Sequence, residues 1–254
     1  MILLNQLRQY IEQKQLFENK DKLLLAVSGG LDSVVMLDLM YSLGYRLGIA
    51  HANFGLRNED SEKDEEFVRD LANKYAIPFF TKKFDTISYK ETHKLSVQLA
   101  ARQLRYDWFE TLLKEQNYHY LLTAHHLNDQ LETILYNLAK GTGIAGLRGI
   151  RPKIKHIVRP MLFADRQQIL EYAQNQELSW REDISNESDK YSRNLIRHHI
   201  VPVLKELNPS VEQTVGQSAE RLLEMETWFD TEMNLLENKL LKREANADFL
   251  NFGN

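Results

Sequence analysis

Ser28-Gly29-Gly30-Leu31-Asp32-Ser33 is the run of residues in this chain best suited to chemistry. It follows an apolar stretch of strand length, Leu23 to Val27, and leads into an amphipathic helical pattern from Val34 to Met40. A glycine-rich turn between a buried strand and a helix start aims free backbone N–H groups and the positive end of the helix dipole at one spot, which suits an anion. Gly29 and Gly30 remove the Cβ atoms that would hold a phosphate off the backbone. Ser28 and Ser33 add hydroxyls. Asp32 would repel phosphate unless a cation such as Mg²⁺ sat between them, so the loop reads as a site for a metal-bound polyphosphate. A bare strand-to-helix turn is the plainer reading, and the flanking strand and helix patterns weigh against it. No Walker A pattern occurs and no lysine lies in the loop, which excludes an ordinary P-loop kinase or GTPase.

A second group is Thr123-Ala124-His125-His126-Leu127-Asn128-Asp129-Gln130-Leu131-Glu132-Thr133. Asp129 and Glu132 are spaced i, i+3 at a helix start, so their carboxylates share a face. They are either ordinary first-turn acids or a paired-carboxylate site for an ammonium group or Mg²⁺. His125 and His126 close a strand, so one can face a pocket while the other packs away.

The elements that must hold these groups follow from pattern. Apolar strand-length runs recur at Tyr45 to Asn53, from Pro78, and at Tyr118 to Ala124. Helical patterns lie between them at Glu59 to Tyr75, Ser96 to Gln116 and Asn128 to Lys140. Such alternation implies an α/β fold with a doubly wound parallel sheet of the Rossmann-like kind. Ligands in such sheets bind at the carboxyl ends of the strands, where the loop at Ser28, His51 and the His125-His126 pair all fall. Lys153 to Pro160 reads as a short strand, Ala164 to Gln176 as a helix, and helices follow around Asn194 to Leu207 and Ser210 to Leu241. These patterns suggest a nucleotide-binding domain over residues 1–207 and a helical appendage over 208–254.

Composition narrows the classes. The 254 residues contain no cysteine, which excludes disulfides, thiolate-bound zinc, iron–sulfur clusters and cysteine catalysis. The hydrophobic fraction of 43% fits a globular protein, and the net charge of −4 gives no global sign of nucleic-acid binding while leaving room for a basic face. No apolar run reaches the length of about 18 residues that a membrane span needs. The first 22 residues read as an amphipathic helix rather than a signal peptide, so a cytoplasmic protein without membrane partners is expected. Oligomeric state leaves no signature.

The Ser28 to Ser33 loop resembles the SGGxDS signature of the PP-loop ATP pyrophosphatases. Residues 124–133 resemble the AHHxxDQxET segment of the tRNA(Ile)-lysidine synthases, a branch of that superfamily. His51-Ala52-Asn53-Phe54-Gly55-Leu56-Arg57 looks like the HxNHGLR segment of these synthases, and Gly141 to Ile150 like their GxGxxGLxG loop. Arg159-Pro160-Met161-Leu162, Glu182-Asp183-Ile184-Ser185-Asn186 and Arg193-Asn194-Leu195-Ile196-Arg197 are similar to their RPLL, EDxSN and RNxIR segments. Two departures stand out: Phe54 replaces the usual second histidine, and Asn128 stands where many members carry an acid. The tail is also short beside members that carry further tRNA-binding modules.

The resemblance implies an adenine nucleotide alpha hydrolase type of fold. It implies a ligase that attaches L-lysine, through its ε-amine, to C2 of the wobble cytidine (C34) of tRNA(Ile) with a CAU anticodon. ATP first adenylates the base, so pyrophosphate and then AMP leave. ATP is expected over Ser28, Gly29, Gly30, Leu31, Asp32 and Ser33, with His51 and His125 beside it and Mg²⁺ at Asp32. Asp32 organises the metal or pyrophosphate side, while Asp129 and Glu132 orient the lysine. Arg102 and Arg105, spaced i, i+3, either clamp a carboxylate or phosphate or form a solvated helix face. Arg193, Arg197, His198 and His199, with Arg148, Arg151, Lys153 and Lys155, either hold RNA phosphates or are surface charges and structural staples. Rival expectations are an amidating PP-loop synthetase, which SGGLDS alone allows, and a non-catalytic ATP-binding module. A tRNA thiolase is disfavoured because sulfur transfer generally uses cysteines.

Overall fold

A computed structural model describes the backbone of residues 2–57, 59–182, 192–244 and 247–250, and their side chains except 192–193 and those from 239 onward. By internal contacts the chain divides into two compact units, Met1–Asp129 with Pro152–Asp189, and Gln130–Arg151 with Lys190–Asn254. This division differs from a single cut after residue 207, because residues 130–151 and 190–207 group with the second unit.

The first unit is built on a six-stranded sheet. Its strands are β1 (Lys22–Ala26), β2 (Arg46–Asn53), β3 (Phe79–Lys83), β4 (Tyr120–Leu122), β5 (Lys153–Ile154) and β6 (Ile157–Val158), in the order β3-β2-β1-β4-β6-β5. All neighbours pair in parallel except β5, which is antiparallel to β6. The single strand expected over Lys153 to Pro160 is therefore a tight hairpin, turned at Lys155 with φ of 51°.

Strand alternation splits the apolar residues of β1 between two faces. Leu23 and Leu25 enter a core with α1 (Ile2–Gln13), α2 (Leu31–Ser42), α3 (Glu59–Lys74) and α8 (Arg166–Asn175). Leu24 faces α5 (Val97–Glu115), where Phe109, Leu112 and Leu113 close the opposite side. Helices thus cover both faces, as parallel sheets require.

α2 is not amphipathic. Val34 to Leu37, Leu39 and Met40 are all buried. The polar Asp38 is held there by the hydroxyls of Tyr75 and Tyr172, which donate to its two oxygens at 2.7 and 2.8 Å. α4 (Thr86–His93) is an addition to the sequence reading. Asp85 caps it by accepting from the Ser88 N–H at 3.0 Å, while its apolar periodicity is too weak to announce a helix.

The second unit takes most of α6 (Leu127–Lys140), α7 (Ile144–Leu147), α9 (Ser192–Leu195), a π-helical turn (Ile196–Ile200), α10 (Val201–Leu207), α11 (Val211–Leu240) and the hairpin β7 (Leu241–Glu244) and β8 (Ala247–Leu250). Its core gathers Leu131, Ile196, Val201 and Val211. Gln130 clamps the glycine loop: its Nε2 donates to the Arg148 carbonyl at 3.0 Å and its Oε1 accepts from the Ile150 N–H at 2.6 Å. Gly149, with φ of 64°, lies so close that a Cβ would sit 2.6 Å from that oxygen. Among the described residues no helix is long and apolar enough to cross a membrane.

Candidate active site

In the first unit a cleft of about 530 Å³ opens at the carboxyl ends of β1, β2 and β4, a volume that suits a small-molecule ligand. Ala26, Ala50, Ala52, Thr123 and Ala124 form its floor. β1 is the strand at which the order reverses, so the cleft lies at the topological switch point.

Of the residues expected here, Ser28, Gly30, Leu31, Asp32, Ser33, Arg105, His125 and Asp129 line the cleft. The loop is organised around Ser33. Its Oγ accepts from the N–H groups of Ser28 and Gly29 at 3.2 and 3.3 Å and donates to the Gly30 carbonyl at 2.9 Å. Ser33 is therefore the internal tie of the turn as well as part of its wall. Gly29 is not part of the lining; it sits behind, with φ of 95°, and a Cβ there would lie 3.3 Å from Phe67. The Arg181 N–H donates to the Gly29 carbonyl at 3.0 Å, so Trp180, Arg181 and Glu182 pass along the loop and complete that side of the cleft.

Two expected residues lie elsewhere. His51 sits between Ala50 and Ala52 on β2, and alternation turns it to the other face of the sheet. There it is buried, and its Nδ1 donates to the Val27 carbonyl at 2.9 Å. Burial lowers its pKa, so it is a neutral structural histidine. Arg102 is exposed and lies 4.8 Å over the Tyr106 ring without lining the cleft. Arg105, one helical turn on, does line it, lies 5.4 Å from the same ring, and has a buried Nε without a hydrogen-bond partner. Burial lowers the pKa of this guanidinium.

The carboxylates of α6 diverge. Asp129 lines the cleft, and its Oδ2 accepts from the backbone N–H of His126 at 3.0 Å. Glu132 is 3% exposed and receives a two-pronged pair from Arg197, with Nε and Nη2 donating at 2.6 and 3.0 Å. Arg197, expected at RNA phosphates, thus has a carboxylate partner. Arg148 likewise pairs with Glu226, which Arg151 also reaches at 2.7 Å. The pKa of Glu226 is lowered by these arginines although desolvation opposes the shift. The side chain of Arg193, and Asp183 to Asn186 of the EDISN segment, lie outside the described residues.

Arg166 belongs to the site although sequence reasoning passed over it, and His126, expected as one of a pair closing a strand, stands beside the same acid, Asp32. His126 is buried, with Nε2 at 3.6 Å from both Asp32 and Asp129, the distance of an ion pair rather than a hydrogen bond. Burial alone would lower its pKa, but the two carboxylates outweigh burial and raise it. Its neighbour His125 shares a hydrogen bond of 2.9 Å with Thr123. Burial, with Arg159 and Arg105 nearby, drives the His125 pKa down to about 4. Of the two histidines expected to divide between pocket and packing, His125 lines the cleft and His126 is the packed one. Arg166 had no local signal, since it reaches Asp32 at 3.3 Å from 134 residues away.

Both departures have local accounts. Phe54 lines the cleft and stacks on Phe84 at 5.7 Å. Asn128 accepts the first-turn N–H of α8, at Arg166, at 2.9 Å. Among the described residues no three His, Asp or Glu side chains gather into a metal cage. A few carboxylates at a phosphate site fit Mg²⁺ instead, because that ion keeps waters and is completed by phosphate oxygens.

The chain matches the PP-loop domain family over residues 3–204. It is 41% identical over 236 residues to tRNA(Ile)-lysidine synthase of Bacteroides thetaiotaomicron, covering 93% of this chain and 55% of that protein. It is 41% identical over 235 residues to tRNA(Ile)-lysidine synthase of Chlorobaculum tepidum, covering 89% and 70%. The chain spans about half the length of several such relatives, 51% and 49% in two further cases. Among solved structures, the U34-tRNA thiolase NcsA of Methanococcus maripaludis superposes with a TM-score of 0.70 at 19% identity, covering 87% of this chain and 78% of that one, which shows a shared fold. By sequence match, the chain belongs to the tRNA(Ile)-lysidine synthase family of PP-loop proteins.

Proposed function

We propose that this chain uses ATP to join L-lysine to C2 of the wobble cytidine of tRNA(Ile) with a CAU anticodon. The observation that carries the reading is the cleft itself. The Ser28 to Ser33 loop, Asp32, Arg105, His125 and Asp129 meet there at the switch point of a sheet whose family uses this motif.

The cytidine O2 is a poor leaving group. Its attack on the α-phosphorus of ATP forms an O–P bond and breaks the α–β anhydride, whose electron pair departs with pyrophosphate. The lysine ε-nitrogen then attacks C2, and AMP leaves with the O2 atom. The N-terminus of α2 holds the phosphates, while the N–H groups of Ser28, Gly29 and Gly30 are tied to the hydroxyls of Ser33 and Ser28 and keep the turn in shape. Asp32 would hold Mg²⁺, which would neutralise phosphate charge. Arg105 faces phosphate or the lysine carboxylate from the inner wall. Asp129 orients the lysine ammonium, which must lose a proton before it attacks, and Glu132, three residues on along α6, must release Arg197 to join it. The base must be unstacked to reach the cleft. Arg148, Arg193 and Arg197 are assigned to tRNA phosphates, and Arg148 and Arg197 must exchange their carboxylate partners to serve there. A cytoplasmic location accords with these substrates.

The test is incorporation of labelled lysine, with ATP and Mg²⁺, into tRNA(Ile) bearing CAU, against tRNA(Met). Label in the isoleucine tRNA alone, with pyrophosphate and AMP released, is expected. Equal labelling of both, or neither label nor pyrophosphate, would overturn the reading.

A further inference from the structure

We propose that Arg166 is the residue that takes hold of the pyrophosphate half of the nucleotide and stabilises it as it leaves. The proposal rests on the reading that ATP lies over the Ser28 to Ser33 loop.

The backbone of Arg166 is fixed by bonds that do not use its side chain. It is the first residue of α8, behind an Asp165–Gln168 capping box in which Asp165 accepts the Gln168 N–H at 2.8 Å and Gln168 accepts the Asp165 N–H at 3.0 Å. Its own N–H is held by Asn128 across from α6. The side chain then runs into the cleft, about half exposed, and its Nη1 meets Asp32 Oδ2 at 3.3 Å. A single long contact at the rim is a weak hold on a group with five donors.

Asp32 is also the acid assigned to the metal. A cation arriving there repels the guanidinium, while the polyphosphate beside it attracts it. The planar fork of arginine matches two phosphate oxygens at once. The other two cleft arginines are placed for different work. Arg181 is bound to Asp64, and Arg105 lies against Tyr106. Arg166 is thus the cleft cation beside the loop with a partner it can exchange. In the adenylation step the bridging oxygen leaves Pα with the bonding electrons and remains on pyrophosphate as an anion. Arg166 donates N–H groups to those oxygens and transfers no proton.

The probe is inorganic pyrophosphate, titrated by calorimetry into the 254-residue protein without added metal. Arg166→Ala should weaken binding by about 10- to 100-fold, the loss of a charge-assisted pair, and Arg166→Lys should restore part of it. Asp32→Asn should bind pyrophosphate as well as or better than wild type, because the guanidinium loses its competing partner. In steady state Arg166→Ala should relieve product inhibition by pyrophosphate and leave the KM for lysine unchanged. Arg166→Ala binding pyrophosphate like wild type, with an unchanged melting temperature, would overturn the proposal. So would a wild-type protein that does not bind pyrophosphate, or an Asp32→Asn that loses binding together with Arg166→Ala. Failure of the ATP reading itself would be recognised separately, as absence of tRNA-dependent pyrophosphate release from ATP by wild type.

Discussion

Charged groups are held differently in the two units. In the cleft of the first, Asp32 meets Arg166 at 3.3 Å and His126 at 3.6 Å, and His126 stands equally far from Asp129. In the second, Arg197 grips Glu132 through two short hydrogen bonds, and Lys205 reaches Glu212 at 2.6 Å, with both acids almost wholly buried. The Asp32–Arg166 pair, half exposed on the arginine side, costs little to exchange for a ligand. Short pairs on a buried acid are costly to open, because the acid is left without compensation. Partner exchange is therefore less costly in the cleft of the first unit, and in the second it must open pairs that hold buried acids.

The largest effect that would test this contrast is at Asp32. Asp32→Ala should lower tRNA-dependent pyrophosphate release by about 10²–10³-fold, the scale of removing one group that organises transition-state charge. The fold should survive, since the side chain sits at the rim. Wild-type release by this variant would remove Asp32 from the mechanism and with it the functional meaning of the loose pairs.

Next comes an asymmetry in the second unit. Arg197→Ala strands the buried Glu132 carboxylate and should cost roughly 3–5 kcal/mol. Glu132→Gln leaves a guanidinium that is about one-third exposed, which water can solvate, and should cost clearly less. Urea midpoints at constant m-value separate the two. Equal losses would break the argument. A stable Arg197→Ala whose tRNA affinity shows a salt slope reduced by about one would support the assignment of Arg197 to the RNA phosphates and break the contrast.

The sheet and the loop were legible in the sequence because both are local patterns: apolar runs of strand length, and glycines at a strand–helix junction. Period two was enough to tell the faces of β2 apart, yet its place at the carboxyl end of a strand drew His51 into the site, and Ala50 and Ala52 took the cleft face instead. What the sequence hid is long-range. Arg57 and Arg181 converge on Asp64, and Arg166 reaches Asp32, through the packing of α3 and α8 around the loop. The Asp129/Glu132 spacing was plain and leaves the two acids only about 60° apart around the helix, but the position of Arg197, 65 residues further along the chain, was not legible, and it is Arg197 that engages Glu132 while Asp129 lines the cleft.

The smallest effect concerns pH. His125 has a folded pKa of about 4 against an ordinary value near 6.5, first because it is buried and then because Arg159 and Arg105 repel its proton. The unfolded chain therefore binds this proton more readily than the folded one. The sign follows: the neutral histidine's contribution is fully present above about pH 6.5 and is lost as pH falls toward 4. His126 shifts upward, so its contribution runs the other way, present at low pH and lost as pH rises. Replacing His125 by Gln, which cannot titrate, should flatten the fall in unfolding free energy between pH 6.5 and 4 while leaving the curve above pH 7 parallel to wild type. Denaturant titrations across that window measure both slopes. A variant that loses stability on acidification as steeply as wild type would mean that other groups set the acid limb, and that the desolvated, cation-lined inner wall of the cleft does not hold His125 neutral.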